Sequence, residues 1–182
     1  CIIAHPWNPP HLMPLVEIIP GERTSLETVE ATKRFMESLG KIAVVQKKET
    51  VGSIGNRLAA ALWREAINLL DEGIADLEDI DKAVSAGPGL RWAVIGPYLS
   101  YHLGGGEGGI EYFLDHLGPA MELRWRSLAK WTVLPSSARK KIIGEMKNHS
   151  MVKGKSIDEI IRWRDSKIAD LLRILHEEKT DD

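Results

Sequence analysis

The hydrophobic periodicity of the chain changes once, after Gly52, and this change limits the possible folds more than any other feature. Before it, short β-branched runs surround a single helical pattern. After it, apolar residues recur at spacings of three and four almost to the end of the 182 residues. The sequence therefore predicts a mostly α protein, with the end of an α/β domain over residues 1–50 and an all-helical domain over residues 52–182.

The first fifty residues predict the order strand, strand, helix, strand. Two apolar runs, residues 1–4 and 15–19, are separated by the proline-rich segment 5–11, which excludes a helix. Thr24-Ser25-Leu26-Glu27 has the pattern of a capping box at the start of a helix that ends at Gly40. Residues 42–45 supply the third strand.

Helical periodicity continues through the rest of the chain. The predicted helices run from Ile54 to a stop at Gly73, from Asp76 to Gly87, and over about 97–103, 109–117, 119–131, 136–148 and 156–178. Asp76 is the expected cap of the second helix, and Ser156 with Glu159 forms a capping box at the last. The segment 87–97, which is rich in Gly and Pro, is predicted to be a loop.

Composition excludes several classes of partner. The 24 Lys and Arg nearly balance the 26 Asp and Glu, so we expect no nucleic-acid partner. No apolar run approaches the ~18 residues of a membrane span, and no membrane association is expected. The one cysteine, Cys1, excludes an internal disulfide and a Cys-based zinc site. We therefore expect a cytoplasmic protein without a metal site.

The residues best suited to chemistry lie near the start of the chain. His5 is expected to leave the first strand into the proline-locked loop, and Glu17, twelve residues later, falls at the solvent-facing phase of the second strand. Such residues can form an imidazole–carboxylate pair, in which the carboxylate fixes the tautomer and stabilises the imidazolium. The alternative is that His5 only hydrogen-bonds the backbone and Glu17 is an ordinary strand-surface residue.

Two motifs together resemble the 3-hydroxyacyl-CoA dehydrogenase family. The first is His5-Pro6-x-Asn8-Pro9 followed by Leu15-Val16-Glu17, which is similar to the family's His-(Phe/Pro)-x-Asn-Pro and its later Leu-Val-Glu. The second, Gly52-Ser53-Ile54-Gly55-Asn56-Arg57-Leu58, resembles the start of the first helix of the family's C-terminal domain. The resemblance implies the end of a Rossmann-type domain, followed by an all-helical domain like the C-terminal one of 6-phosphogluconate dehydrogenase.

The resemblance also implies an NAD-dependent oxidation of a 3-hydroxyl group. It makes His5 the general base, Glu17 the residue that orients it, and Asn56 a hydrogen-bond donor to the reacting oxygen. Asn8 is implied to bind substrate. These residue types suit the reaction, because an imidazole titrates near neutral pH and can take a hydroxyl proton while a hydride leaves the carbon.

The dinucleotide-binding turn of the family has no counterpart in the sequence. The one Gly-x-Gly-x-x-Gly match, residues 104–109, lies between predicted helices and has no strand before it. The family's active-site serine precedes the histidine motif and also has no counterpart. The resemblance therefore implies that NAD is bound mainly by a domain absent from this chain, and the residues that bind it stay unknown. Because the chain opens on an apolar run without Met, we expect an inactive fragment.

The helical part resembles the branch of the family that oxidises free 3-hydroxy acids, which contains L-carnitine and L-gulonate 3-dehydrogenases. The motifs are Gly89-Leu90-Arg91-Trp92 and the glycine run 104–109 followed by Phe113-Leu114. The glycine run and the residues after it resemble L-carnitine dehydrogenases, so the resemblance favours carnitine. The six Trp fit this substrate, because aromatic faces bind a quaternary ammonium. L-Gulonate and 3-hydroxybutyryl-CoA are the alternatives.

Four residues of this part are candidate substrate ligands. Trp92, Tyr101 and Trp125 could face the cation, although core packing is the alternative for each of them. Arg91 could hold the carboxylate, with a helix-cap or surface role as its alternative. The family resemblance further implies a homodimer formed through the helical domain. A different class of function, a non-catalytic dimerisation module, stays open.

Overall fold

The structure is a computed structural model that describes residues 1–177. Its backbone contacts divide the chain into two compact units. The first contains residues 1–62 and 163–177, and the second contains residues 63–162. Residue 178, the last of the predicted C-terminal helix, lies outside the described residues.

The first unit is built on a three-stranded sheet in the order β1-β2-β3, where β1 is Ile2–Pro6, β2 is Leu15–Pro20 and β3 is Ile42–Val45. β1 runs antiparallel to β2, and β3 runs parallel to it. Helix α1, Leu26–Ser38, connects the two parallel strands. Because β2 is the central strand, Val16 and Ile18 are buried, as is Val29 of α1. The predicted strand–strand–helix–strand order is confirmed.

The cap of α1 lies one residue later than predicted. Ser25, in an extended conformation, is the N-cap, and its hydroxyl accepts a hydrogen bond from the N–H of Thr28 at 3.2 Å. The third helical residue is therefore Thr28, so Glu27 is not the reciprocal partner of a capping box.

Five predicted helices are confirmed, with bounds that differ by a few residues. They are α2, Ile54–Asp71; α3, Leu77–Ala86; α5, Pro97–Gly104; α7, Ser136–Met146; and α8, Ile157–Glu177. The capping box of α8 is also confirmed. The Ser156 N–H donates to Glu159 Oε2 at 2.7 Å, and the Glu159 N–H donates to the Ser156 hydroxyl at 3.3 Å.

Two predictions about the middle of the chain are wrong. The segment predicted to be a loop contains helix α4, Pro88–Val94, because a proline in the first turn loses no intrahelical hydrogen bond. The two helices predicted over 109–131 are one, α6, Gly109–Ser127, with Pro119 inside it. A proline in a helix interior removes one hydrogen bond, and in α6 the remaining turns continue past it.

The second unit has a small core between α2, α3 and α7. Leu70, Leu77 and Ile80 are buried there, and Ile142 packs against them. The start of α3 is capped from a distance, because the Leu77 N–H donates to Glu145 Oε2 at 2.9 Å. Asp76 occupies the predicted N-cap position, but its side chain accepts no capping hydrogen bond, and Glu145 is the acceptor instead.

Candidate active site

The pairing of β1 with β2 places the two predicted catalytic residues side by side. In the antiparallel register His5 is directly opposite Glu17, and such cross-strand pairs project from the same face with their Cβ atoms about 5 Å apart. The twelve-residue separation is therefore bridged by strand pairing. His5 lies inside β1, which continues to Pro6, so the prediction that it has already left the strand is wrong.

The prediction that Glu17 faces solvent is also wrong. Its side chain is only 1% exposed, and its neighbours Val16 and Ile18 are equally buried. Three consecutive buried residues mean that both faces of β2 are covered. The alternating pattern expected for a half-exposed strand does not apply to a central strand of this kind.

Donors from two other segments hold the Glu17 carboxylate. The Gly55 N–H, in the first turn of α2, donates to Oε1 at 2.9 Å. The indole N–H of Trp7 donates to Oε2 at 2.9 Å. A helix N-terminus favours a nearby negative charge, because its first N–H groups lack intrahelical partners. The carboxylate therefore connects strand β2 to the start of α2.

The environment of Glu17 favours its ionised form. Burial alone would raise its pKa, but the Ser53 hydroxyl, the Gly55 N–H, the Trp7 indole and His5 together outweigh burial and lower the pKa below its ordinary value. Glu17 is therefore a buried carboxylate that carries its charge at neutral pH.

His5 presents one nitrogen to this carboxylate. Its Nδ1 lies 3.5 Å from Glu17 Oε2, which is longer than a well-formed hydrogen bond. Nδ1 itself is buried, whereas the side chain as a whole is 41% exposed, so the exposed part of the ring lies away from Glu17. A nitrogen that faces a carboxylate is expected to carry the imidazole proton, which leaves the lone pair on Nε2.

Asn56 follows Gly55 in the first turn of α2, so the bond from Gly55 to Glu17 also fixes the backbone beside it. The side chains of Asn56 and Asn8 are exposed, and within residues 1–177 neither forms a hydrogen bond to another side chain. The structure thus brings His5 and Glu17 together and leaves the two amides available at the surface. Their roles toward substrate stay predictions.

The four other candidate ligands lie in the second unit, on three helices. Arg91 is exposed on α4, and Trp92 beside it is half-buried, with an indole nitrogen that lacks a partner among residues 1–177. Tyr101 of α5 packs against Phe113 with ring centroids 4.9 Å apart, which favours the core alternative for this residue. Trp125 of α6 is 59% exposed. Their roles in substrate binding also stay predictions.

The glycine run 104–109 connects the end of α5 to the start of α6. Atoms of the run and of His102 occupy the space beside its backbone. A Cβ on Gly105 would collide with the Gly109 carbonyl, and one on Gly109 would collide with the His102 ring. His102 Nδ1 accepts a hydrogen bond from the Ile110 N–H at 3.1 Å. One backbone donor at the N-terminus of α6 is therefore paired with a side chain of this chain. A pyrophosphate is bound by a glycine-rich turn that directly follows a strand. Residues 1–177 contain no such turn, and the run 104–109 follows a helix.

Residues 1–177 contain no helix that is both long and apolar enough to cross a membrane. Over the same residues, the structure gathers no group of three or more His, Cys, Asp or Glu side chains that could hold a metal ion.

Comparison with protein families identifies the chain. Residues 1–50 match the NAD-binding domain of 3-hydroxyacyl-CoA dehydrogenase, and residues 52–147, more than half of the chain, match its C-terminal domain. The chain belongs to the 3-hydroxyacyl-CoA dehydrogenase family. The resemblance found from the His5 and Asn56 motifs is therefore confirmed.

Curated relatives of this family member include L-carnitine dehydrogenases. One from Nocardiopsis dassonvillei is 40% identical over 97% of this chain and 53% of the relative. One from Streptomyces coelicolor is 41% identical over 94% of this chain and 53% of the relative. The chain thus spans about half the length of the curated relatives it matches.

A solved structure of similar fold is that of 5-formyl-3-hydroxy-2-methylpyridine 4-carboxylic acid 5-dehydrogenase, described as an NAD+-dependent dismutase. It superposes with a TM-score of 0.78 at 30% identity and covers 96% of this chain and 56% of its own. The mostly helical, Rossmann-related fold predicted from the sequence is confirmed.

Sequence analysis missed two residues that hold the carboxylate of Glu17. They are Trp7 and Gly55. Gly55 carried a usable signal, because a glycine in the first turn of a helix is a poor helix former and often marks a close approach. A Cβ there would collide with the Trp7 ring.

Proposed function

We propose that the protein represented by this chain oxidises the 3-hydroxyl group of a free 3-hydroxy acid, with L-carnitine as the favoured substrate and NAD as the hydride acceptor. The observation that carries this proposal is the buried, ionised Glu17 facing the Nδ1 of a partly exposed His5. A carboxylate in this position orients an imidazole as a base and stabilises its protonated form.

The chain's own residues account for the proton side of the oxidation. The lone pair on His5 Nε2 accepts the proton of the substrate hydroxyl, and Glu17 stabilises the resulting imidazolium. Asn56, one residue after the Gly55 anchor, donates its amide N–H to the reacting oxygen, and Asn8 contacts the substrate from the loop after β1. Residues 1–177 offer no turn for the pyrophosphate of NAD, so they account for no step at the cofactor.

The named relatives and the aromatic residues support a carnitine-like substrate. Relatives about 40% identical over nearly the whole chain are L-carnitine dehydrogenases. A quaternary ammonium cannot accept or donate a conventional hydrogen bond, so aromatic faces are its natural ligands, each worth ~0.5–2 kcal/mol. Trp125, more than half exposed, is available for this role, and the exposed Arg91 is available for the carboxylate.

Turnover by the full-length protein tests the substrate. NAD reduction is followed with L-carnitine, L-gulonate and 3-hydroxybutyryl-CoA, and we expect the highest kcat/KM for L-carnitine. A preference for 3-hydroxybutyryl-CoA would contradict the free-acid assignment. Absence of turnover with all three would favour the non-catalytic module.

Substitution of the three candidate aromatics tests the cation site. In the full-length protein, replacing Trp92, Tyr101 or Trp125 by Leu keeps apolar volume and removes the ring quadrupole. For a cation ligand we expect KM for L-carnitine to rise ~2- to 30-fold with little change in kcat, because the cation lies away from the reacting carbon. A residue that only packs should lower Tm and leave KM unchanged. Three destabilised variants with normal KM would contradict the aromatic site.

The proposal includes a homodimer formed by the helical region. Ile157 and Ile161 of α8 are exposed, as is Leu123 of α6, and exposed apolar side chains of this kind are typical of protein interfaces. Three further apolar residues of α8, which recur at helical spacing, are half-buried. They are Ile168, Leu172 and Leu175.

Sedimentation of the chain at neutral pH tests the dimer. We expect a dimer for the unmodified chain and a monomer for Ile161→Glu, because the new charge would be buried in the interface. Arg162→Glu changes the neighbouring exposed position and serves as the control, which we expect to stay dimeric. A monomeric unmodified chain would contradict this part of the proposal.

A further inference from the structure

The two oxygens of the Glu17 carboxylate have different surroundings. Oε1 is held by the Gly55 N–H, whereas Oε2 is held by the Trp7 indole and is also the atom nearest to His5 Nδ1. The indole bond, at 2.9 Å, is shorter than the 3.5 Å separation from His5. The oxygen that faces the imidazole is thus fixed in place by Trp7.

The space for the Trp7 ring depends on the absence of a side chain at residue 55. A Cβ on Gly55 would collide with the six-membered part of the indole and lie 2.8 Å from its Cε2. The same residue therefore supplies the donor to Oε1 and the room for the donor to Oε2. The two contacts form one arrangement around Glu17.

Among the described residues, His5 is the one other titratable group that acts on Glu17. The strand neighbours of Glu17 are His5 on β1 and Val44 on β3. Ser53 precedes α2, Gly55 lies in the first turn of α2, and Trp7 lies in the loop after β1. Hydrogen bonds from these groups outweigh burial and lower the pKa of Glu17.

From this geometry we infer that Trp7 is a positioning residue, whose indole N–H holds Glu17 Oε2 toward His5 and which works only because residue 55 is glycine. Its role as part of a catalytic site rests on the proposed function. Its bond to Glu17 does not, because that bond can be measured in the chain without turnover.

Carboxyl and indole NMR of the chain tests the bond directly. With 13C-labelled Glu and 15N-labelled Trp, the Glu17 signal is assigned by its loss in Glu17→Gln. In the unmodified chain, the Trp7 indole signal should move with the Glu17 titration. The Trp131 indole, which donates to the neutral Asn68 amide at 3.3 Å, should not follow that titration and serves as an internal control. A Trp7 signal indifferent to Glu17 would overturn the inference.

Two pairs of variants extend the test. Trp7→Phe keeps an aromatic ring and removes the N–H, so the Glu17 pKa should rise toward its ordinary value of 4.5, whereas the matched Trp131→Phe should leave it unchanged. Gly55→Ala should produce the same rise by displacing the indole. Gly144→Ala, where a Cβ meets nothing within 4 Å, is its control. Folded Trp7→Phe and Gly55→Ala chains with an unchanged Glu17 pKa would overturn the inference.

Turnover separates positioning from a purely structural role. In the full-length protein, Trp7→Phe should lower kcat more than it changes KM, because Trp7 acts on the base through Glu17. A normal kcat in this variant would overturn the positioning role even if the NMR bond is found. Absence of turnover in the unmodified protein would instead contradict the proposed function and leave the NMR result standing.

Discussion

Replacing Glu17 by Gln probes the arrangement that holds the candidate site together. Gln has nearly the same shape but no charge, and it offers one acceptor oxygen where Glu17 offers two. Either the Gly55 N–H or the Trp7 indole then faces an NH2 group and loses its acceptor. A buried donor without a partner costs ~1–3 kcal/mol, and the remaining bond loses its charge assistance. The neutral Gln avoids the free-energy cost of burying a charge, which offsets part of this loss.

We therefore expect Glu17→Gln to lower the free energy of unfolding by about 2–3 kcal/mol, which corresponds to a fall in Tm of ~4–12 °C for a chain of this size. Urea and thermal denaturation at pH 7 measure both quantities. Glu37→Gln, at an exposed ion pair with Lys33, is the control and should change stability by less than ~0.5 kcal/mol.

The pH dependence of this difference follows from the lowered pKa of Glu17. A carboxyl whose pKa is lower in the folded state stabilises the protein fully above its unfolded value, 4.5, and this contribution is lost as the pH falls through the folded value. The difference in the free energy of unfolding between the unmodified chain and Glu17→Gln should therefore be largest at neutral pH and decrease below about pH 4.5. Equal stability of the two folded chains at pH 7 would refute this reasoning.

Three further predictions concern the second unit and the cofactor. Glu145→Ala should destabilise the chain by ~1 kcal/mol in urea unfolding, and Asp76→Ala by less, because only Glu145 caps α3. The Ser150 hydroxyl and N–H, with Lys82, lower the pKa of Glu78 to about 2, so Ser150→Ala should raise that pKa in a carboxyl NMR titration. An unchanged value would contradict the assigned cause. Isothermal titration should detect no micromolar binding of NAD to the chain, since residues 1–177 lack a turn for its pyrophosphate.

Local sequence patterns were sufficient to predict much of the fold. The β-branched runs gave all three strands, and Ser156 with Glu159 gave the start of α8, because both signals depend on neighbouring residues. Two of the errors lie where a helix tolerates a residue that usually ends one. Pro88 begins α4 and Pro119 lies within α6.

For the candidate site, the pairing of His5 with Glu17 was predicted, but the burial of Glu17 was not. The resemblance of the His5 and Glu17 motifs to the family carried the prediction of the pair, and the register of β1 and β2 places the two residues opposite each other. Glu17 is buried on a central strand and bonded to Gly55, 38 residues away, and no local pattern reports a contact at that distance. The cap of α3 by Glu145, 68 residues from Leu77, escaped prediction for the same reason.

We propose His5, oriented by Glu17, as the base of the oxidation. The most direct measurement is kcat for L-carnitine oxidation by the full-length protein and its His5→Ala variant, with His11→Ala as the control. His11 is an exposed histidine that faces Asp165 and not Glu17. The account predicts a fall in kcat of ~10²–10⁴ for His5→Ala and little change for His11→Ala. A His5→Ala variant with near-normal kcat would contradict the assignment of the base.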